Sequence, residues 1–439
     1  MDSENLWMID VREQQDSWGG RRQAPRFPEV GVVGLIPDTW GSPWMARHHV
    51  FTRLAEYFHV VWMDPPRGWR EYWLGPCAPG PACRHTVPLR PGFGVYTPGR
   101  WLARFYRPAF LARAAERRAS RNAARVLKKR RCRRIIVYLW RPEFDAALDY
   151  LDHEVSCSHL DDEYTFSRHE LPTDPREARL LKRVDHVFLH SPALWEKKSS
   201  GNPNTHLVPM GADYQSFATP RREPEDLGSI PRPRIGYVGY VKGQLNFPLL
   251  TALGRMHPDW SFVFVGPCNA NMPRYALQFE ALCALPNVYM LGERHVGRLP
   301  AYMQHMDVLT LAYRINDYTK FISPMKLQEY LATGRPVVGS PIGYLRHFAG
   351  VIALAETEEQ WSDALCEALR PESGAPERAA RRQGIAKAYD WDRVVLHIAR
   401  VLCGSLGDDY LRDITEAYGP DPELGRPGHD LVIPAVAAT

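Results

Sequence analysis

"DVLTLAYRINDYTKFISPMKLQEYLATGRPVVGS", residues 307–340, contains a complete strand–helix–strand pattern. The short apolar runs at 307–313 and 336–340 predict two buried strands. Between them, Ser323 followed by Pro324 predicts the N-cap and the first residue of a helix. Strands that alternate with helices in this way form parallel sheets, which helices cover on both faces.

The same alternation extends along the chain in two series. Its apolar strands are predicted at 31–37, 59–66, 134–140, 154–160, 186–191 and 205–210 in the first series, and at 234–240, 260–266, 287–292, 307–313, 336–340 and 351–355 in the second. Residues 67–100, rich in Pro and Gly, predict an irregular excursion. We therefore expect an α/β fold made of two Rossmann-like domains that face each other across a cleft.

Composition predicts the boundaries of these domains. A Pro-rich, charged stretch at 217–233 is typical of a linker. The expected divisions are a first domain at 1–216, the linker, a second domain at 234–390, a helical segment at 391–418 and a mobile tail at 419–439. A chain of 439 residues is long enough for two cores of about 200 residues each.

Composition also bears on location. The sequence contains no apolar run of about 18 residues that could span a membrane. Its first residues are polar and lack the apolar core of a secretory signal. The eight cysteines contain no Cys-x-x-Cys pair, which favours reduced thiols over a zinc site or a disulfide framework. We expect a cytoplasmic protein.

The positive charge is concentrated in one segment. Residues 100–134 contain 14 Lys and Arg against a single acid, Glu116, although the net charge of the whole chain is only +5. A basic amphipathic helix that binds an anionic membrane surface, on the inner face of the membrane, is one interpretation. A solvated helix face with ordinary core contacts is the other. Nucleic acid is not expected, because aromatic residues are sparse here and no binding motif accompanies the charge.

Lys326 occupies an unfavourable position in the predicted helix. As the third residue of the first turn it faces the positive pole of the helix dipole, at a cost of roughly 0.3–1 kcal/mol. A bound diphosphate would remove that cost, because free N–H groups, the dipole and a lysine all attract it. Ligands of open α/β sheets bind at the carboxyl ends of strands, where this helix begins. Glu329 shares a face with Lys326; its carboxylate either accepts hydroxyl protons from a ribose or forms an i,i+3 surface pair.

Six stretches of the sequence share their order and spacing with one protein family. They are "WMARHHVFTRLAEYFHVVWMDPP" (44–66), "CSHLDDEYTF" (157–166), "HSPALWEKKSSGNPNTHLVPMGADYQSF" (190–217), "RIGYVGYVKGQLNFPLL" (234–250), "NVYMLGERHVGRLPAYMQHMDVLTLAY" (287–313) and "SPMKLQEYLATGRPVVGSP" (323–341). Together they resemble retaining, GT-B-fold glycosyltransferases of the family-4 type, closest to the bacterial branch that includes teichuronic-acid-type transferases. The resemblance covers roughly residues 31–405.

The resemblance implies a metal-independent transfer, with retention, from a nucleotide sugar to an acceptor hydroxyl. It implies a UDP- or GDP-type donor, held mainly by the C-terminal domain, and no further cofactor. The acceptor would be a lipid-linked or cell-surface glycan, or a small-molecule natural product, bound on the side of the N-terminal domain. It also implies that the C-terminal helix crosses back to the N-terminal domain. Two alternatives remain open: a catalytically silent nucleotide-sugar-binding partner at the membrane, and another GT-B enzyme such as an epimerase or phosphorylase.

The resemblance also assigns roles to individual residues. Glu329 matches the ribose-binding glutamate, and Lys326 matches the lysine of the Pro-x-Lys-x-x-Glu-Tyr variant of that motif. With the helix start at Met325, Lys326 would stabilise the negative charge that develops on the leaving diphosphate. The remaining donor contacts that it implies are phosphate contacts at Gly239, Tyr240 and Lys242, base contacts at Arg294 and His295, and a first loop beneath the diphosphate at Gly41 and Ser42.

Two positions depart from the family pattern. Phe321 stands where the family has a second glutamate, eight residues before Glu329. Asp161 stands at the end of a predicted strand, where many relatives carry a histidine beside the donor sugar. We expect Asp161 to take part in catalysis by orienting donor or acceptor hydroxyls, although both it and Asp162 could instead cap a helix.

Three further residues are expected on the acceptor side. Trp140 and Arg141 end a predicted strand and could line an acceptor pocket. His49, next to His48 on the first helix, either points into the cleft or is a satisfied core histidine. A metal site is the alternative for the alternating residues Cys157, His159, Asp161 and Glu163, which would share one face of a strand. We expect no metal, because helix dipoles and basic side chains neutralise the diphosphate in the implied fold.

Overall fold

The computed structural model describes residues 24–70, 86–103, 109–163, 175–268 and 274–421. They form two compact units. The first unit contains the described residues up to Leu189, together with Lys197–His206 and the chain from Val395 to residue 421. The second unit contains His190–Glu196 and Leu207–Val394.

The first unit is built on an eight-stranded sheet. Its strands are β1 (Phe27–Leu35), β2 (Phe58–Met63), β3 (Thr86–Arg90), β4 (Phe93–Tyr96), β5 (Arg134–Leu139), β6 (Val155–Leu160), β7 (His186–Leu189) and β8 (Thr205–Leu207). They lie in the order β3-β4-β2-β1-β5-β6-β7-β8. The pairs from β4 to β7 are parallel, and β3 pairs antiparallel with β4. The apolar runs that predicted strands become the buried centre of this sheet.

Helices follow most of these strands. In the first unit they are α1 (Ala46–Leu54), α2 (Ala109–Lys129), α3 (Ala147–Tyr150) and α4 (Pro175–Arg183), with 3-10 turns at Arg100–Leu102, Pro142–Phe144 and Ser199–Gly201. Helix α5 (Pro192–Lys198) follows β7, and its residues up to Glu196 belong to the second unit. Helix α2 packs on β1 and β2 through its small and apolar face, which includes Ala119, Ala123 and Leu127. The basic residues of α2 therefore lie on the other side of the helix.

The prediction for residues 67–100 is wrong in part. It expects an irregular excursion, whereas β3 and β4 form a hairpin whose turn contains Gly92 at a φ of +82°. The strands were not predicted because proline and glycine are usually rare within strands. Pro88 lies within β3 because β3 is the edge strand of the sheet, where a missing N–H breaks no ladder.

The second unit contains a six-stranded sheet in which every pair is parallel. Its strands are β9 (Arg234–Val238), β10 (Ser261–Val265), β11 (Val288–Gly292), β12 (Val308–Leu311), β13 (Val337–Gly339) and β14 (Ala353–Leu354), in the order β11-β10-β9-β12-β13-β14. Its helices are α6 (Tyr214–Ala218), α7 (Glu225–Gly228), α8 (Phe247–Met256), α9 (Ala276–Cys283), α10 (Leu299–Gln304), α11 (Met325–Ala332), α12 (Gly343–Arg346), α13 (Glu358–Ala368) and α14 (Pro376–Ala388), with 3-10 turns at Val296–Arg298 and Pro371–Gly374. Twelve strands predicted from apolar runs thus occur, within a few residues of their predicted bounds, in the two sheets.

Residues 217–233, for which the composition predicts a linker, belong to this second unit. Phe217, Leu227 and Ile230 are buried in its hydrophobic core. The apolar residues of this Pro-rich segment thus pack in the core of the second unit, so the segment is not a free linker.

The chain returns to the first unit through its last helices. Helix α15 (Trp391–Leu406) starts in the second unit and, from Val395, belongs to the first; α16 (Asp408–Tyr418) follows it. Asp413 of α16 pairs with Arg26 at 2.5 Å, so this end of the chain is tied to the first unit. The predicted mobile tail lies, from residue 422, outside the described residues. None of the described helices is both long and apolar enough to cross a bilayer.

Candidate functional site

Helix α11 begins one residue later than the sequence predicts. Pro324 has extended backbone (φ −71°, ψ 114°) and takes the N-cap position, so Ser323 precedes the cap. This corrects the predicted cap and makes Lys326 the second helical residue instead of the third. No acidic side chain lies in the first turn. The free N–H groups of this helix end and Lys326 therefore present only positive charge.

The side chain of Lys326 lies across the loop that follows β9. A Cβ atom at Gly239 would be 1.7 Å from Lys326 Cε, and Gly239 has a φ of +144°. Only glycine leaves room for the lysine at this point and adopts this backbone conformation without strain. The Lys326 ammonium also lies 5.8 Å from the centre of the Tyr237 ring. The fold thus brings Gly239 and Lys326, predicted as two separate donor contacts, into direct proximity.

The charged groups of Lys326 and Glu329 are the central feature of this helix end. Within the described residues, neither side chain forms a hydrogen bond or an ion pair, although Glu329 is buried and Lys326 is half-buried. Burial lowers the pKa of Lys326 to about 8; the charge of Glu329 opposes this shift, and that of Lys242 adds to it. Burial likewise raises the pKa of Glu329 to about 7, against the charge of Lys326 and with that of Asp213. Such groups are stabilised when a ligand of complementary charge arrives.

The loop after β9 is fixed by backbone contacts. The Gly239 N–H donates to Val265 O at 2.7 Å, and the Val241 N–H donates to Pro267 O at 2.9 Å. The carbonyl of Tyr240 accepts from the Tyr237 hydroxyl at 3.0 Å, and its ring is 38 % exposed. Because Lys242 is close enough to lower the pKa of Lys326, two cations converge on this loop.

The loop after β11 contains Arg294 and His295. Arg294 pairs with Asp226 at 2.7 Å and donates to the Tyr302 hydroxyl at 2.9 Å. Although burial alone would raise it, hydrogen bonds from Arg294 and Tyr302 hold the pKa of Asp226 below its usual value. The guanidinium is therefore engaged by side chains of α7 and α10. His295 accepts from the Gly297 N–H through Nδ1 at 3.2 Å, and its buried Nε2 has no hydrogen-bond partner among the described residues. A base contact by either residue stays a prediction.

Arg314 is a candidate that the sequence analysis missed. It follows β12 at the carboxyl edge of the sheet, and its guanidinium lies 4.8 Å over the ring of Tyr275. Its Nη1 is buried and has no hydrogen-bond acceptor among the described residues. The Arg314 N–H donates to Gln244 O at 2.8 Å, which ties it to the loop after β9. Its position immediately after a parallel strand was the only signal in the sequence.

Phe321 stands where the family pattern predicts a glutamate. Its carbonyl accepts from the Ser191 hydroxyl at 2.9 Å, and its ring lies 5.5 Å from the ammonium of Lys320. The side chain supplies an aromatic face to this part of the second unit. It cannot accept hydrogen bonds from sugar hydroxyls as a carboxylate would.

In the first unit, Trp140 and Asp161 are in direct contact. They follow the neighbouring strands β5 and β6, and the Trp140 Nε1–H donates to Asp161 Oδ2 at 2.8 Å. Arg47 of α1 lies 3.8 Å from the same carboxylate and pairs with Asp38 at 2.8 Å. The guanidinium is also 5.8 Å from the Trp140 ring. The structure therefore brings two predicted residues together and adds Arg47, which holds the Asp161 carboxylate from a second side.

Other residues predicted in the first unit have local roles. Asp162 accepts from the N–H of Glu163 at 2.9 Å, and Arg141 precedes the 3-10 turn Pro142–Phe144. His49 is buried; its Nε2 accepts from Trp44 Nε1 at 2.9 Å and its Nδ1 lies 3.1 Å from Arg53. Desolvation lowers its pKa well below the usual value, and the charge of Arg53 adds to this shift. This geometry matches the core-histidine interpretation of His49.

The loop after β1 contains the two remaining donor candidates. Ser42 donates from its hydroxyl to Thr39 O at 2.7 Å, which closes a tight turn. A Cβ at Gly41 would meet no atom within 4 Å, so no described neighbour requires glycine there.

The proposed metal-binding residues do not gather. Cys157 and His159 are buried in β6, whereas the Glu163 carboxylate pairs with Lys197 at 2.8 Å and Lys198 at 3.4 Å. Among the described residues, no group of three or more His, Cys, Asp or Glu side chains is placed to hold a metal ion.

The basic segment forms helix α2 and the 3-10 turn beside it. The inward face of α2 makes ordinary core contacts, in agreement with the second interpretation of this segment. However, Trp101 is 78 % exposed and Phe110 is 67 % exposed, with Leu111 also at the surface. They adjoin exposed arginines such as Arg113 and Arg117. We call these exposed residues at 100–102 and 110–133 the basic-aromatic face.

Part of the chain is similar in sequence to known glycosyltransferases. Residues 232–370 match the family model described as "Glycosyl transferases group 1". A putative teichuronic acid biosynthesis glycosyltransferase, TuaH of Bacillus subtilis, is 28% identical over 227 residues. That alignment covers 49% of this chain and 56% of TuaH, so it spans about half of each protein.

Two solved structures are similar in fold. Anabaena HepE, in complex with UDP and glucose, has a TM-score of 0.61 at 16% identity, over 85% of this chain and 99% of that one. Sucrose-phosphate synthase from Thermosynechococcus elongatus has a TM-score of 0.64 at 14% identity, over 86% of this chain and 99% of that one. Together with the two Rossmann-like sheets, this similarity confirms the predicted GT-B fold.

Proposed function

We propose that this protein is a metal-independent, retaining glycosyltransferase that moves a sugar from a nucleotide-sugar donor to an acceptor hydroxyl. The observation that carries the proposal is the pair of charged groups on α11, Lys326 and Glu329, which form no hydrogen bond or ion pair within the described part of the chain. Both lie within the residues that match the glycosyl transferase family model. A diphosphate offers the anion that Lys326 lacks, and ribose hydroxyls offer the donors that Glu329 lacks.

The chemistry follows from these charges. As the bond between the sugar and the diphosphate breaks, negative charge grows on the leaving phosphate oxygen. Lys326, the N–H groups at the start of α11 and Lys242 stabilise that charge where it develops. The acceptor hydroxyl attacks the same face of the sugar, and its proton passes to the leaving phosphate oxygen. No side-chain nucleophile takes part, and Asp161 orients a sugar hydroxyl.

The comparisons favour particular substrates within this class. UDP and glucose are bound in HepE, which supports a UDP-sugar as donor for this chain ahead of a GDP-sugar. TuaH is named for teichuronic acid biosynthesis, which supports an acceptor that is a growing or lipid-linked glycan ahead of a small natural product.

A thermal-shift screen of UDP-, GDP-, ADP- and dTDP-sugars, each with and without EDTA, tests the donor site. We expect one nucleotide class to raise the melting temperature of the wild-type protein equally with and without EDTA. Lys326→Ala should lose this shift because it removes the cation, whereas Lys387→Ala, at an exposed lysine of α14, should retain it. A shift that requires a divalent metal would overturn the metal-independent assignment. The absence of any shift would overturn the donor site itself.

Turnover separates this proposal from its two alternatives. A silent binding partner would bind the donor with no product, whereas an epimerase would convert the donor without an acceptor. We expect donor consumption that depends on added glycan acceptor, with the anomeric configuration of the product, read by NMR, equal to that of the donor. Inversion of that configuration would contradict the retaining mechanism.

We further propose that the basic-aromatic face binds an anionic membrane surface. Exposed Trp101 and Phe110 can enter the interface, while the surrounding arginines attract lipid phosphates at about 1 kcal/mol each. Cosedimentation with phosphatidylcholine vesicles, with and without phosphatidylglycerol, tests this. Binding should require the anionic lipid and should fall when Trp101→Ala and Phe110→Ala are combined, while Leu277→Ala, at an exposed leucine of α9, should have no effect. Equal binding of both vesicle types would contradict the proposal.

A further inference from the structure

A second site of positive charge lies at the opposite edge of the sheet in the second unit. A cavity of about 680 Å³ is bordered by residues that precede β9, β12 and β13, namely Arg232, Asp307 and Arg335. These are the amino ends of parallel strands, whereas Gly239 and Arg314 follow carboxyl ends. The cavity is therefore separate from the donor site proposed above, and its occupancy does not depend on that proposal.

The cavity lining is rich in arginine. Arg232, Arg335 and Arg370 line it, against one carboxylate, that of Asp307. Asp307 is already engaged, since it pairs with Arg232 and accepts from the Arg234 N–H at 2.8 Å. Arg370 pairs with Glu367 at 2.7 Å on the exposed rim. Arg232 also lies 3.6 Å from Glu223. Of the three arginines that line the cavity, only Arg335 therefore has no carboxylate partner among the described residues.

The guanidinium of Arg335 has no partner among the residues that the structure describes. Within the described part of the chain, its guanidinium forms no hydrogen bond and no ion pair, although the residue is half-buried. Burial lowers its pKa; the charge of Asp307 opposes this shift and that of Arg232 adds to it. A planar guanidinium presents paired N–H donors that match two oxygens of a phosphate or carboxylate. Half-burial without such an acceptor leaves those donors available to a ligand.

The helix ends around the cavity set the sign of its field. Helices α11 and α13 end here, and the carbonyls of a helix C-terminus repel anions. Arg382 offsets this effect, because it donates to Gly334 O at 2.9 Å and to Ser373 O at 2.6 Å. Helix α14 also starts beside the cavity, with Ala375 as an N-cap that has no side chain to satisfy its first N–H groups. The N–H groups at the start of α14 and the Arg335 guanidinium are thus the donors that an anion in this cavity would meet.

We propose that this cavity binds a small phosphorylated molecule, with Arg335 as the bidentate partner of its phosphate. The volume exceeds what a free phosphate needs and suits an organic phosphate about the size of a hexose phosphate. The ligand would touch the last turn of α11 at Thr333 and Gly334, which also border the cavity. Its phosphate would replace the carboxylate that Arg335 lacks.

Titration calorimetry with glucose 6-phosphate, inorganic phosphate and glucose tests the proposal at constant ionic strength. The measurement uses the full chain carrying Lys326→Ala, so that phosphate binding at the proposed donor site is weakened. We expect glucose 6-phosphate to bind more tightly than inorganic phosphate, and glucose not to bind. Adding Arg335→Ala should weaken binding at least tenfold. Arg335→Lys, which keeps the charge but loses the paired N–H donors of the guanidinium, should weaken it less. Arg255→Ala, at an exposed arginine outside the cavity, should change nothing.

Three results would overturn the assignment. One is the absence of binding to the Lys326→Ala protein. Another is equal binding with and without Arg335→Ala, measured on samples whose circular dichroism and melting temperature show that both are folded. The third is equal affinity for inorganic phosphate and glucose 6-phosphate, which would remove the organic part of the ligand from the proposal.

Discussion

Replacing Lys326 by methionine shows separately how this lysine affects the free energy of unfolding and how it affects donor affinity. Methionine keeps a flexible chain of similar length over Gly239, so the packing at that point is preserved, and only the charge is removed. If Lys326 is kept for a ligand, its removal should stabilise the free protein and weaken donor binding. If the lysine instead stabilises the fold, its removal should destabilise the free protein.

The size of the stabilisation follows from burial. The pKa of Lys326 falls from its usual 10.5 to about 8, a difference that corresponds to roughly 3 kcal/mol. Since the side chain keeps some contact with water, we expect about 1–2 kcal/mol. That gain raises the melting temperature of a domain of this size by roughly 3–6 °C. Because the pKa in the folded state is the lower one, the gain should be complete below about pH 8 and should shrink as the pH rises toward 10.5.

The same replacement should weaken donor binding, although it stabilises the free protein. Loss of a charged hydrogen bond to phosphate costs about 1.5–3 kcal/mol, or roughly 10- to 150-fold in affinity. Differential scanning calorimetry at several pH values, with and without the donor identified by the screen, measures both effects. Lys387→Met is the matched control and should change neither quantity by more than about 0.5 kcal/mol. A Lys326→Met protein that melts lower than wild type and still gains the full shift from donor would refute the reasoning.

Three further predictions concern neighbouring contacts. Gly239→Ala should lower the free energy of unfolding by about 1–3 kcal/mol and weaken donor binding, because the new Cβ would meet Lys326 Cε at 1.7 Å and φ is +144°. An unchanged free energy of unfolding in chemical denaturation would contradict this prediction. Donor affinity measured by calorimetry should peak between about pH 7 and pH 8, since Glu329 gains a proton below its pKa of about 7 and Lys326 loses one above its pKa of about 8. Glu329→Gln should remove the decrease in affinity at acidic pH, and a flat wild-type profile would exclude both groups from donor binding. Trp140→Phe should cost about 1–2 kcal/mol in urea denaturation by removing the 2.8 Å hydrogen bond to Asp161, and this cost should be smaller in an Asp161→Asn background; equal costs in both backgrounds would mean that the bond contributes nothing.

Much of the fold could be predicted because its signals are local. Short apolar runs and helical spacing depend only on neighbouring residues, so twelve of the described strands were predicted close to their observed bounds. The hairpin of β3 and β4 was missed because its proline and glycine are tolerated only at a sheet edge and in a turn. Which strand lies at an edge is a property of the assembled sheet.

The candidate site was predictable only in part, for a similar reason. Lys326 and Glu329 could be found because the start of a helix after a strand is visible in the sequence. Arg294 could not be separated from a free cation, since its partners Asp226 and Tyr302 come from other elements of the second unit. Arg314 was overlooked because nothing in the local sequence distinguishes an unpaired arginine from a solvated one.

Two largely parallel α/β sheets, and a helix whose first turn contains a lysine and no acid, could be read from residue order alone. These features follow from residue order and the periodicity of helix and strand, which need no distant contact. Three features required the assembled fold. Lys326 lies over Gly239, Asp161 is held by Trp140 and Arg47, and Arg335 borders a cavity with no partner among the described residues. Burial and charge pairing depend on which elements meet in space, and residues far apart in the chain meet only when the sheets assemble.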